Sequence, residues 1–133
     1  MIRFPLAIAT ALGLLAGAAP AQDMRAGASH YVVYCASCHG DTLQGDGMMT
    51  DVLNIAIPDL TGIAARNGGV FPRVRVVYRI DGRDPIPAHG GDMPYFGDLF
   101  EGDMAPMKSE TGQPILTGRG IVDLIAFLEG MQE

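Results

Sequence analysis

Apolar positions recur most regularly near the end of the chain. Ile121, Leu124, Ile125 and Leu128 fall at i, i+3, i+4 and i+7, one face of a helix, and predict a helix over Gly118–Met131 with Thr117 as N-cap. A weaker stripe of Gly27, Tyr31, Val32 and Cys35 predicts a first helix over Met24–Ala36. Between them the pattern is broken. Gly40–Gly47 is polar and glycine-rich and reads as a loop; Met48–Ile55 predicts a short helix that ends before Pro58. Asp59–Ala65 suggests a further turn, closed by Asn67-Gly68-Gly69. Phe71–Asp81 reads two ways. Val74, Val76, Tyr78 and Ile80 alternate as in a strand, and propensity favours that; Val74, Val77 and Tyr78 after Pro72 keep a helical spacing. Gly82–Gly97 reads as a loop, and Leu99–Ile115 as irregular chain with room for one helical turn. No repeat or low-complexity tract is present.

The first residues carry a different pattern. Arg3, the apolar run Phe4–Leu15 and Ala19-Pro20-Ala21 match the three regions of a secretory signal peptide, placing the mature N-terminus at Gln22. The expected organisation is therefore a signal peptide over 1–21 and one domain over 22–133, exported and without stable membrane insertion after cleavage. The whole chain has 9 basic and 15 acidic residues. Losing Arg3 leaves 8 against 15, a net charge of −7. Nucleic acid is disfavoured as a partner, since phosphate binding needs a basic patch. A protein partner with a basic docking face is the natural expectation.

The densest chemistry lies in Cys35-Ala36-Ser37-Cys38-His39. C-x-x-C-H is the attachment spacing for a c-type haem: two thiols add to the porphyrin vinyl groups and the adjacent imidazole reaches the iron. Both cysteines are in this motif, so no disulfide framework remains. With His39 on one face of the iron, the other face needs a ligand. Met93 is the leading candidate, 54 residues on and flanked by Gly90, Gly91 and Pro94, because a neutral soft sulfur suits haem iron. Met104 and Met107 are the alternatives, and His89 a weaker one. Axial imidazoles usually donate their other N–H, and the carbonyl of Pro58 is the expected acceptor. Arg66, Arg73, Arg79 and Arg83 are candidate propionate partners. Two haem-free readings compete. Thiol–disulfide chemistry would need an activated thiolate, usually in a strand-to-helix context that is absent from the pattern. A zinc site lacks an evident fourth ligand at the usual spacing.

On these residues the chain resembles the class I cytochrome c family, of the small bacterial periplasmic mono-haem kind. Gly27, Tyr31 and Cys35–Gly40 are similar to the family's first helix and haem site, and Gly45-Asp46-Gly47 with Pro58-Asp59-Leu60-Thr61 to its next loop. Met93-Pro94-Tyr95-Phe96-Gly97 resembles the sixth-ligand loop, and Ile121–Leu128 the last helix. The resemblance implies an all-α cytochrome c fold, its N- and C-terminal helices crossing and short helices and loops wrapping one covalent haem c with its iron. It also implies that Phe71–Ile80 is helical. The implied function is periplasmic one-electron transfer with His39 and Met93 as axial ligands, not enzymatic catalysis. The chain would serve as a soluble carrier or as the cytochrome subunit of a periplasmic dehydrogenase. The alternative is a haem protein with an open or exchangeable sixth site, for gas sensing or haem catalysis. Gly102–Gly118 has no counterpart in the family, and would serve as a partner-docking loop or displace Met93.

Overall fold

The computed structural model describes residues 22–84 and 92–133. The expected signal peptide, His89, Gly90 and Gly91 lie outside them. The described chain forms five helices and one two-stranded sheet, so the expected all-α class is corrected.

Helix α1, Met24–Tyr34, starts at Asp23, whose carboxylate accepts the N–H groups of Arg25 and Ala26 at 2.9 and 3.1 Å. It is shorter than the expected Met24–Ala36. The chain restarts at Cys35, whose carbonyl accepts from both Cys38 and His39, and α2 covers Ala36–His39. Over Met48–Ile55 the expected helix is absent, and turns take its place. There Gly47 N–H bonds to the Cys38 carbonyl and Met49 N–H to that of Ser37, and one helical i→i−4 bond forms, from Leu53 N–H to the Met49 carbonyl. Met48 and Val52, 80% and 71% exposed, have no core to cover.

Helix α3 is Ile63–Arg66 and α4 is Arg73–Asp81. The second Phe71–Asp81 reading is therefore the one adopted. Val77 and Ile80 enter the core at helical spacing, and packing overrides the strand propensity of the valines. A single 3₁₀ turn covers Gly97–Phe100.

The expected irregular stretch is instead a hairpin. Strand β1, Met104–Lys108, pairs antiparallel with β2, Pro114–Gly118, with Ala105 opposite Thr117 and Met107 opposite Ile115. Ala105, Met107, Ile115 and Thr117 are buried, while Met104, Pro106, Lys108, Pro114 and Leu116 face out. Both strands are edges, where proline's missing N–H is tolerated. Ser109 closes the turn, its N–H bonding to the Gln113 carbonyl and its hydroxyl accepting from Gln113 N–H.

Helix α5, Arg119–Gly130, begins one residue after the sheet. Its N-cap is Gly118, not Thr117 as expected; Thr117 turns inward from β2 and donates its hydroxyl to Asp81. Ile121, Leu124, Ile125 and Leu128 form the core with Tyr31, Val77 and Ile80. The first and last helices pack closely. Gly27 abuts the α5 backbone so tightly that a Cβ there would sit 2.1 Å from the Asp123 carbonyl oxygen. The Asp123 carboxylate accepts the Asp23 N–H at 2.8 Å, and the Tyr31 and Phe127 rings touch.

Candidate haem site

One cavity of about 400 Å³ opens between α1, α4, α5 and the 53–60 loop. Cys35, Cys38, His39, Pro58 and Met93 all line it. Its remaining walls are largely apolar and include Leu53, Ile57, Leu60, Ile63, Val76, Ile80 and Leu128. This volume falls within the range of roughly 300–1,000 Å³ typical of cofactor pockets.

The motif is presented by a local device. With α2 ending at His39, Gly40 takes a positive φ of +78° and its carbonyl accepts the Tyr31 hydroxyl at 2.7 Å. A buried donor in the preceding helix thus fixes the residue after the histidine. Burial, with the nearby Cys35 and two carboxyl groups adding to it, raises the Tyr31 phenol well above its ordinary pKa. The hydroxyl therefore stays protonated and remains a donor.

His39 is 8% exposed. Its Nδ1 lies 3.4 Å from the Pro58 carbonyl oxygen, a long contact of the expected kind. With Nδ1–H directed at Pro58, Nε2 is the nitrogen left with a lone pair. Burial lowers the imidazole pKa, and the Pro58 contact opposes this only in part. The neutral ring this favours is the form that binds metal.

The loop bearing Pro58 is anchored from both sides. Leu60 N–H bonds to the Leu43 carbonyl at 2.7 Å, and Asp59 accepts the N–H and the hydroxyl of Thr61, both at 2.7 Å. Those bonds, the hydroxyl's first, hold the Asp59 carboxyl below its ordinary pKa. From the far end of the chain, Gln132 accepts Ala64 N–H at 2.8 Å and donates to the carbonyls of Leu60 and Leu128 at 2.9 and 2.7 Å. Sequence reading missed Gln132, and no local signal marks a contact spanning 68–72 residues. Gln132→Ala is expected to cost about 1–3 kcal/mol, because it leaves one donor and two acceptors without their partner. Urea unfolding of the haem-loaded protein checks this.

The other candidates separate cleanly. Arg66 and Arg79 line the cavity. Arg73 instead bonds to Glu129 at 2.6 and 2.9 Å, and Arg83 to Asp81. Met104 is half exposed on the outer hairpin face, and Met107 is buried in the core beneath it; neither lines the cavity.

The residues fit a covalent haem. The two thiols and the imidazole share a wall region, a thioether enters from a distant segment, and the surrounding side chains are apolar. Competing chemistries fit poorly. Burial, with the neighbouring Cys38, pushes the Cys35 thiol up to about 11, opposite to the shift that thiol–disulfide exchange requires. Among the described residues, no three His, Cys, Asp or Glu side chains come together as a metal-ligand set.

Comparison with known proteins agrees with this geometry. The family model described as cytochrome c matches residues 24–132. Neither the curated proteins nor the solved structures give a significant match. The match takes in the motif, the cavity and both terminal helices, so this chain belongs to the cytochrome c family, whose cofactor is a covalently bound haem c with its iron.

Proposed function

We propose that the protein is an exported one-electron carrier whose iron is held by His39 and Met93. Cys35 and Cys38 would carry the haem as thioethers, Nε2 of His39 and Sδ of Met93 would ligate its iron, and the Pro58 carbonyl would orient the imidazole. One observation carries this reading: the motif and Met93, 54 residues apart in sequence, reach the same apolar cavity. When bound, the iron supplies a ferric–ferrous couple. With His39 and Met93 both ligating the iron, no coordination place would remain for a substrate, and the apolar walls and the choice of ligands would tune the potential.

The remainder of the proposal rests on the sequence. The Arg3–Ala21 pattern supports export to the periplasm. The net charge of −7 after cleavage supports a redox partner with a basic docking face. Among the described residues no helix is long and apolar enough to cross a membrane.

An absorption spectrum of the haem-loaded protein tests the ligation. A low-spin ferric spectrum with a sulfur-to-iron band, and a ferrous form slow to bind carbon monoxide, are expected. A high-spin ferric spectrum with rapid carbon monoxide binding would overturn the carrier reading in favour of an open sixth site.

A further inference from the structure

The hairpin lies along α4 and grips it at both ends. At the start, Pro72 offers no side-chain cap, and the Glu110 carboxylate at the hairpin turn accepts Val74 N–H at 3.3 Å. At the end, Thr117, 2% exposed, donates its hydroxyl to Oδ2 of Asp81 at 3.1 Å. The Asp81 side chain is only 8% exposed. Arg83 also donates to it, from Nε at 2.8 Å, Nη2 at 2.5 Å and the backbone N–H at 3.1 Å. The Arg83 guanidinium also lies 4.6 Å from the centre of the Tyr78 ring. A nearly buried carboxylate thus has its donors from two separate elements, as such a group requires.

The last turn of α4 is also where the chain after Met93 docks. Phe96 N–H bonds to the Ile80 carbonyl at 2.8 Å. Gly97 passes so close that a Cβ would lie 2.5 Å from the Asp81 carbonyl oxygen, and the Tyr95 ring packs against Gly82. The hairpin, the end of α4 and the Met93 segment therefore meet at one residue, Asp81.

We infer that Thr117, acting through Asp81, is a positioning residue for Met93: the hairpin fixes the C-terminal turn of α4, and that turn holds the Met93 segment against the cavity. This rests on Met93 being the sixth ligand. It gives Gly102–Gly118 a role inside the redox site, as a brace that keeps the sixth ligand in place and not as its replacement.

Imidazole capture by the ferric haem-loaded protein tests the inference, since added imidazole gains the iron only when the resident sulfur leaves. Thr117→Val keeps the side-chain shape and removes the hydroxyl. It is expected to speed capture about tenfold and weaken the sulfur-to-iron band, in line with losing a hydrogen bond to a charged group. Thr117→Ser retains the hydroxyl and is expected to capture imidazole at the parent rate. Equal rates in parent and Thr117→Val would overturn the inference, as would equal acceleration in both variants, which marks a packing effect. Met93→Ala measured alongside separates the two claims. If it keeps the band, the ligand assignment fails and the inference with it; if it loses the band while Thr117→Val matches the parent, only the inference fails.

Discussion

Met93→Ala is expected to abolish the sulfur-to-iron band of the ferric protein and to lower its reduction potential by on the order of 0.1 V or more, a fraction of the roughly 0.8 V range that axial ligation commands. The direction follows from the ligand: a neutral thioether favours the ferrous state, and its loss leaves water or an imported nitrogen or oxygen donor. The magnitude follows from the lack of a substitute. Met107 is locked in the core beneath the hairpin at 5% exposure, and Met104 is half exposed on the opposite face of that hairpin. Neither can reach the cavity without dismantling the β1–β2 pairing. A potentiometric titration with the spectrum recorded at each step measures both effects. An unchanged band and potential would sink the assignment and move the ligand search to the remaining methionines, since the band requires a sulfur donor.

A large stability effect is expected at the helix crossing. Alanine is ordinarily the better residue inside a helix by about 1 kcal/mol. At Gly27 that gain is outweighed, because the new methyl would sit 2.1 Å from the Asp123 carbonyl oxygen and 2.6 Å from its carbon. These are backbone atoms of α5, so no rotamer change relieves the contact and the helices must separate. Overpacking of this kind costs typically 1–3 kcal/mol, and a backbone clash belongs at the upper end. A net loss of about 2 kcal/mol is expected, lowering the thermal midpoint of the haem-loaded protein by roughly 8 °C. Gly68→Ala is the control: a Cβ there meets nothing within 4 Å, and only the φ of +69° opposes it. The cost there is about 1 kcal/mol. Calorimetric scans of both variants check the order, and a Gly27→Ala midpoint at or above the parent's would refute the close-packing account.

What could be read in advance was what depends on short-range spacing. Cys35, Cys38 and His39 lie within five residues, and the stripe from Ile121 to Leu128 names its own buried face. Pro58 and Met93 needed a chemical argument about what an imidazole and an iron require, and both line the cavity with the motif. The errors have physical causes. Met48–Ile55 has the composition of a helix, but Met48 and Val52 stay exposed, so no apolar face is buried to hold one. The hairpin was obscured because Pro106 and Pro114 weaken the usual strand signal, although its buried and exposed positions alternate along β1. Thr117 precedes a helix as a cap should, yet strand alternation turns it inward to Asp81. Asp81 and Gln132 were missed because their roles lie in partners 36 to 72 residues away.

The pairing of α1 with α5 also bears on the order in which the molecule can assemble. Asp23 and Asp123 are bonded across 100 residues, and the core between them is built from Tyr31 on one side and Ile121–Leu128 on the other. Closing so wide a loop carries an entropy cost that no contact repays until both ends are present. A growing chain therefore stays without this core until α5, Arg119–Gly130, has been made. Cys35 and Cys38 are made before α5, whose Leu124 and Leu128 line the same cavity. Part of the wall around the haem motif is thus added well after the motif itself.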